Sequence, residues 1–183
     1  MTTAADLFDL VVAVFAQRED QSWPTSAEGR VDSPGVLPTQ PDDYPRTKLR
    51  LIGETKLGQG RGSIGFVTTP IIRVISEVSA PVSITDAKSS EVEERLWAIK
   101  AENERAIINS QPLFQHVQQL ISVQTQFAFE AQATMLAGIQ SDYTFEIYET
   151  AEDFAPLPTE ILTEIVATDP IHPGVQWAAF QSE

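Results

Sequence analysis

The sequence predicts an α+β fold: a single domain with a mainly antiparallel sheet, on which an N-terminal helix and a long central helix pack. Apolar residues recur at helical spacing in two stretches, residues 3–17 and 90–110. Three other runs alternate between apolar and polar residues, which is typical of strands with one buried face. Around the central helix the order is strand, helix, strand, strand, so we expect this helix to cover one sheet face.

Composition sets the broad class of the protein. Of the 183 residues, 42% are hydrophobic and 21% are charged, as in an ordinary globular domain. No run of about 18 apolar residues occurs, so no membrane span is expected. The first residues lack the basic flank of a secretory signal, which predicts synthesis in the cytoplasm. The absence of cysteine excludes disulfides and thiolate chemistry.

The net charge of the chain is −14, from 26 acidic and 12 basic residues. Such a surface repels nucleic-acid phosphates, and no cluster of Lys and Arg interleaved with aromatic residues offsets this repulsion. Sequence-specific DNA binding is therefore not expected. The charge fits both an acidic wall past which DNA slides and an ordinary acidic protein surface.

The first predicted helix runs from Thr3 to Gln17. Thr3 and Asp6 can cap its start. Its apolar stripe is so wide that it requires burial, either on the sheet or in a neighbouring subunit, and core burial is the default interpretation. The stripe consists of Leu7, Phe8, Leu10, Val11, Val12, Val14 and Phe15.

Residues 18–45 form a proline-rich loop or arm without periodicity. Five of the twelve prolines lie here, which excludes a continuous helix or a central strand. A connection of this length is unusual inside a compact domain. It is either a disordered linker or an extended arm that becomes ordered against another surface, and its apolar anchors favour the arm. These anchors are Trp23, Val36, Leu37 and Tyr44.

The stretch Thr47–Lys56 predicts an edge strand with Lys48 and Arg50 on its wet face. Five of the nine glycines then fall between residues 53 and 65. The string around Arg61 superficially resembles a phosphate-binding loop, but no Gly-Lys-Ser/Thr follows and no helix opens after it. We therefore expect a hairpin tip, with Arg61 facing a partner or the lumen of an assembly.

The next strand, Ile71–Val78, is expected to turn one apolar side inward, made of Ile72, Val74 and Val78. The central helix is then predicted from Ser90 to Ser110. Ser90 and Glu93 have the spacing of a capping box, and the proline at position 112 is expected to stop the helix. Its inward stripe is Val92, Leu96, Ile99 and Ala106.

The wet face of the central helix is predicted to carry the ion pairs Glu91–Arg95 and Glu102–Arg105. Beyond the helix, residues 113–121 supply apolar side chains that close one end of the core. Strands are expected at 122–129 and 143–148, and residues 137–140 between them indicate weaker pairing or a bulge. The inward residues of the first of these strands are Val123, Thr125, Phe127 and Phe129.

Residues 151–183 are predicted to be a C-terminal extension or interaction arm beyond a core of residues 1–150. Prolines interrupt this extension, while Trp177 and Phe180 give it aromatic anchors. Residues 159–168 fit a short strand or a helical passage, and their β-branched content favours the strand. Two proline-rich arms with aromatic anchors around one core suit interlocking subunits.

The sequence contains no recognisable catalytic, cofactor-binding or metal-binding pattern. His116 and His172 are far apart and have no third ligand at suitable spacing. No Gly-x-Ser-x-Gly motif is present, and close carboxylate pairs are expected by chance in so acidic a chain. We therefore predict no catalytic residue, no cofactor and no metal.

The order of elements resembles that of the tail terminator proteins of long-tailed bacteriophages, also called tail completion proteins. The resemblance covers roughly residues 1–150. It is carried by the amphipathic first helix, by the approach of Tyr44-Pro45 to the strand that begins Thr47-Lys48-Leu49, and by the strand at 71–78. It continues through the helix that ends at Asn109-Ser110-Gln111-Pro112 and the closing strand at 142–148.

This resemblance implies a virion protein of the tail-neck junction that is made in the host cytoplasm and is not an enzyme. Members of the family form a hexameric ring on the last ring of tail-tube subunits, stop tube growth and face the head connector, while DNA passes through the centre without sequence-specific binding. The implied partners are further copies of this chain, the tail-tube protein and a head-tail connector or neck protein. The chain departs from the simplest members in its 18–45 loop and its C-terminal arm.

The candidate interaction residues are the aromatic anchors and the hairpin cation: Trp23, Tyr44, Arg61, Trp177 and Phe180. Two alternatives remain open at this point. One is another component of the phage neck or tail tube, because such components share the α+β core by resemblance. The other is a small ligand-binding or enzymatic α+β domain whose pocket residues are scattered along the sequence.

Overall fold

The computed structural model describes residues 3–62, 65–81, 87–131 and 134–154. The chain divides into two compact units, Met1–Asp153 and Phe154–Glu183. Nearly all described residues belong to the first unit. Trp177, Phe180 and the passage predicted at 159–168 lie outside the described residues.

The first unit is an α+β domain, as predicted, built on a five-stranded sheet of order β1-β2-β3-β5-β4. Neighbouring strands run antiparallel except β1, which is parallel to β2. The strands are β1 (Val31–Asp32), β2 (Arg46–Gly58), β3 (Gly65–Pro81), β4 (Gln119–Ala131) and β5 (Thr134–Thr150). The helices are α1 (Ala4–Val14), α2 (Ala87–Ile108) and α3 (Gln111–Phe114), with 3-10 turns at Pro41–Asp43 and Ala151–Phe154.

One face of the sheet carries the core and all three of these helices. Alternate residues of β3 and β5 point to it, because successive side chains of a strand lie on opposite faces. The buried residues of these two strands include Ile72, Val74, Val78, Ile139, Tyr143, Phe145 and Ile147. They contribute to one cluster with α1 and α3 and to another with α2. The predicted inward face of the strand at 71–78 is thus confirmed.

The start of α1 follows the predicted capping pattern. The Thr3 hydroxyl accepts a hydrogen bond from the Asp6 backbone N–H, and the Asp6 carboxylate accepts one from the Thr3 N–H. Leu7, Val11 and the adjoining Phe15 are buried, and the rest of the stripe packs around them. Core burial of this helix is therefore confirmed.

The start of α2 differs from the prediction. The helix begins at Ala87, so Ser90 lies inside it and the predicted capping box of Ser90 with Glu93 is wrong. Three further residues upstream already adopt helical backbone, so position 90 is not the helix end. The inward stripe is confirmed, since Val92, Leu96, Ile99 and Ala106 are all buried.

The predicted wet face of α2 is half right. Arg95 Nη2 lies 2.6 Å from Glu91 Oε1, as expected. Glu102 instead accepts a hydrogen bond of 2.6 Å from the Ser26 backbone N–H, which ties the 18–45 loop to the helix. The helix ends just before Asn109, as predicted, and Ser110 then caps the short helix α3.

Strand β5 is continuous where weaker pairing or a bulge was predicted. Residues 137–140 pair in regular register with β3 on one side and β4 on the other, so that prediction is wrong. A central strand is held by hydrogen bonds on both sides, and Ala137 and Ile139 are buried toward α2. The register shifts lie in β2 between Leu51 and Gly53, and in β4 between Leu120 and Ser122.

The described residues of β4 that were predicted to face inward are only partly buried. Val123 and Thr125 are half-buried, whereas Phe127 is 36% exposed. The side chain of Phe129 lies outside what the structure describes. Leu113 and Val117, before this strand, are buried in the α1 cluster, so they close one end of the core as expected.

The proline-rich segment 18–45 is ordered against its own domain. Ala27 is fully buried in the α2 cluster, and the Gly35 N–H donates to the Leu49 carbonyl at 3.2 Å. This packing also explains why the expectation for Lys48 is wrong. Lys48 is only 5% exposed, because Gly35 lies against its side chain and Glu77 holds its ammonium group at 2.8 Å.

Candidate interaction surfaces

Tyr44 is half-buried and lines a cavity of about 460 Å³ between the 18–45 loop, α2 and the end of β3. Burial, together with the charge of Glu77, raises the pKa of its phenol above the ordinary value. The cavity wall combines apolar and charged side chains. It is made of Ser26, Tyr44, Pro45, Val78, Ser79, Arg95, Ala98, Ile99 and Glu102.

The charged groups of this cavity already have partners within the domain. Arg95 pairs with Glu91, and Glu102 accepts the Ser26 backbone N–H. Apolar atoms of Val78 and Ile99 line the remaining wall. The cavity can therefore take a small, partly apolar group more readily than a strongly charged one.

Trp23 does not share a site with Tyr44. It is 36% exposed and packs over Gly29, where a Cβ atom would come within 3.2 Å of the indole ring. The residues that line the Tyr44 cavity do not include it. Trp23 thus packs against its own loop. The structure does not bring Trp23 and Tyr44 together in one site.

Arg61 is exposed in the turn that follows β2. Its neighbours Gly60 and Gly62 have φ values of +140° and +84°, a backbone region that strains any other residue. The hairpin predicted here is therefore present, although Ser63 and Ile64 lie outside the described residues. The remaining two candidates, Trp177 and Phe180, also lie outside them.

Val36 and Leu37 form an exposed apolar surface that we call the loop patch. Their exposed fractions are 63% and 75%. The stretch of residues 33–41 around them contains no charged residue. Beside it lies a second cavity, of about 410 Å³, whose wall includes the ion-paired Asp32 and Arg46. The sequence marked both patch residues as anchors, and the structure shows that they point outward.

A second exposed apolar surface, which we call the helix–edge patch, consists of Trp97 on α2 and Phe127 on β4. The two rings lie 4.9 Å apart between centroids and are tilted by 54°. Trp97 is 50% exposed, and the Lys100 ammonium lies 5.7 Å from its ring centroid. Sequence reasoning missed this pair. The available signal was a tryptophan on the polar side of the predicted helix.

The sheet face opposite the described helices carries charged pairs as well as apolar side chains such as Leu57 and Tyr148. Arg73 binds Asp142 through two hydrogen bonds of 2.7 and 2.8 Å across β3 and β5. Lys48 and Glu77 form a similar pair between β2 and β3. These cross-strand pairs stabilise the pairing of the neighbouring strands.

Within the described part of the chain, no group of three or more His, Asp or Glu side chains could hold a metal ion. None of the described helices is long and apolar enough to cross a membrane. His116 is exposed. Comparisons of the chain with protein-family models and with curated proteins found no match.

Proposed function

We propose that this protein is a structural component of a phage virion that forms a ring on the end of the tail tube. The ring ends tube polymerisation and provides the surface that joins the head connector, and DNA passes through its centre. The order α1, β2–β3 hairpin, α2, β4, β5 supports this proposal, because it is the order on which the resemblance to tail terminator proteins rests.

The observation that carries the proposal is the position of two of the exposed apolar surfaces, the loop patch and the helix–edge patch. The loop patch adjoins β1 and β2, and the helix–edge patch includes β4, which is the strand at the other side of the described sheet. Two unlike adhesive surfaces on opposite sides of one domain suit head-to-tail association, which closes into a ring when the rotation between copies fits.

The charge of the chain agrees with a lumen that DNA crosses. A net charge of −14 repels phosphates at long range, so DNA would pass such a ring without binding to it. The proposal includes no enzymatic activity. Charged side chains of the sheet face opposite the helices include pairs such as Arg73–Asp142 and Lys48–Glu77, an arrangement suited to holding strands rather than to proton transfer.

Negative-stain electron microscopy of the purified full-length protein tests the proposal. We expect rings with one fixed number of copies, six by the resemblance, and a central opening. When the ring is added to growing tubes of the tail-tube protein from the same phage, tube length should stop increasing. A protein that stays monomeric and leaves tube length unchanged would contradict the proposal.

The same assay separates the nearest alternative, another neck or tail-tube component. A tube component would polymerise by itself or lengthen existing tubes, whereas a terminator caps them. A connector component would bind the head side of the neck and leave tube growth unaffected. Measuring tube length, and locating a labelled copy of this protein on the tube, therefore distinguishes a terminator from a tube component and from a connector component.

The cavity at Tyr44 favours a second candidate function, the binding of a small molecule. Its volume of about 460 Å³ lies in the range of ligand pockets. Thermal shift against a metabolite panel tests this function. A compound that raises the melting temperature of the wild type, but not that of Ala98→Phe with its filled cavity, would support it over the structural role.

A further inference from the structure

We infer that the loop patch of one copy docks on the helix–edge patch of the next copy and forms the repeating contact of the ring. This inference rests on the proposed function, because it assigns surfaces to the ring contact. Val36 and Leu37 of one copy would pack on Trp97 and Phe127 of its neighbour. The occupant of the helix–edge patch is therefore a second copy of this chain.

The two patches lie at opposite sides of the sheet. The Gly35 N–H donates to the Leu49 carbonyl and so fixes Gly35 beside β2, at the end of the sheet away from β4. Phe127 belongs to β4, which is the last strand at the other side of the described sheet. Because the two surfaces differ and lie at different sides of the sheet, their contact passes from copy to copy instead of ending in a symmetric dimer.

The loop patch is held in place on both sides. Before it, Gly35 packs on Lys48 so closely that a Cβ atom would lie 2.2 Å from the lysine Cβ. After it, the Thr39 hydroxyl donates a hydrogen bond to Glu77, the same residue that binds Lys48. The two exposed side chains therefore stand on an ordered base, which lowers the entropy lost on docking.

Charge favours this pairing over others available to the chain. Each copy carries a net charge of −14, so most surfaces of two copies repel each other. The region of α2 around Trp97 is rich in glutamate, including Glu93 and Glu94. Residues 33–41 carry no charge, and the neighbouring Asp32 and Asp43 are both paired with Arg46, so this stretch can approach the acidic helix with little repulsion and cover the indole ring.

Charged substitutions in each patch test the contact in the full-length protein. We expect the double variant Val36→Asp/Leu37→Asp and the single variant Trp97→Asp each to lower the affinity of the contact about tenfold or more, because each buries an unpaired charge in the contact and the second also removes a tryptophan anchor. Sedimentation velocity should then show monomers where the wild type forms rings. Leu57→Asp is the matched control, since Leu57 is 63% exposed outside both patches. This control should still form rings.

A mixture of the two impaired variants provides a sharper test. The loop-patch variant retains an intact helix–edge patch, and the Trp97 variant retains an intact loop patch. A mixture should form heterodimers with one intact contact and no larger species. Contacts of each patch with itself would give no heterodimer and would overturn the inference.

Chemical crosslinking tests the same contact without introducing charged residues that could disturb folding. Because the chain has no cysteine, Leu37→Cys/Phe127→Cys introduces the only two thiols. A short bismaleimide should link this variant into a ladder that ends at the ring size, whereas Leu37→Cys alone should stay unlinked. Linked dimers of Leu37→Cys, or rings that persist in both charged variants, would overturn the inference and leave the proposed ring standing. A monomeric wild type would overturn both.

Discussion

Glu149 is a carboxylate near the end of β5 that is only 1% exposed. Its Oε2 atom accepts a hydrogen bond from the Thr68 hydroxyl and lies 2.7 Å from Lys56 Nζ, while Oε1 has no hydrogen-bond partner among the described residues. Desolvation lowers the pKa of Lys56, but the hydrogen bond and charge of Glu149 outweigh it and raise that pKa overall. The lysine therefore stays charged and is the main compensation for a buried negative charge.

Lys56→Met should destabilise the domain, because it leaves Glu149 buried with only a hydroxyl partner. We expect the free energy of unfolding to fall by about 1–3 kcal/mol, measured by urea denaturation. The control is Arg95→Met, which breaks the well-exposed pair with Glu91 and should cost about 0.5 kcal/mol or less. Equal losses in the two variants would contradict this account.

Asp32 shows how one ion pair makes stability depend on pH. Hydrogen bonds of 2.5 and 2.6 Å from Arg46 lower the pKa of its carboxyl below the ordinary value. A lowered folded-state pKa means that the pair stabilises the protein above the unfolded pKa of about 4 and that this contribution disappears as pH falls through the folded-state pKa.

Asp32→Asn should therefore lower the melting temperature at neutral pH and lose this effect in acid. The cost at neutral pH is expected to be up to about 1 kcal/mol, since the pair is partly exposed. Melting curves from about pH 7 to about pH 3 should show the wild type and the variant converging. A difference that stays constant over this range would show that the Asp32 charge is not responsible.

At the scale of single elements, the two main helices show when a capping signal can be trusted. Thr3 caps α1 through both hydrogen bonds of a capping box. Ser90 and Glu93 have the same spacing, but α2 begins at Ala87 and the serine lies inside the helix. The spacing marks a helix start only where the residues before it leave the helical conformation, and that depends on more than four residues of sequence.

Alanine substitutions of Thr3 and Ser90 test this difference through the free energy of unfolding. Thr3→Ala should lower the free energy of unfolding by about 0.5–2 kcal/mol, because the backbone N–H of Asp6 loses its acceptor. Ser90→Ala should change it by no more than about 0.5 kcal/mol, since the serine is exposed within the helix. Urea denaturation of both variants checks this. A larger loss for Ser90→Ala would indicate that its hydroxyl stabilises α2 after all.

At the scale of the whole molecule, one face of the sheet holds the core while its two sides carry the exposed patches. Among the described residues, the members of both buried clusters belong to the first compact unit, Met1–Asp153. The extension stays a predicted interaction arm, with Trp177 and Phe180 as its aromatic anchors.

Deletion of residues 170–183 should leave the circular dichroism spectrum largely unchanged, because the described members of both core clusters lie before position 150. It should weaken ring formation or docking to the tail tube or connector, since aromatic anchors contribute large buried areas at interfaces. Sedimentation and tube-capping assays measure this effect. A truncated chain that unfolds would show that the extension belongs to the core, and one that assembles and docks normally would exclude the arm.

The sequence by itself determined the element types and their inward faces. Periods of 2 and 3.6 residues are local properties of a strand and a helix, so Ile72, Val74, Leu96 and Ile99 could be assigned to the core without any knowledge of their neighbours. The same local logic predicted the cap at Thr3 and the hairpin around Arg61. For the candidate site it provided single anchors such as Tyr44, but no surface.

Only the tertiary structure decided which residues are covered and which share a surface. Lys48 has the sequence pattern of a wet-face residue, yet it is buried because Gly35 of the distant loop packs on it. Trp97 and Phe127 lie thirty positions apart and meet because β5 inserts between β3 and β4, which brings β4 to the side of the described sheet. Burial depends on what the rest of the chain places over a residue, and that information is not contained in a local pattern.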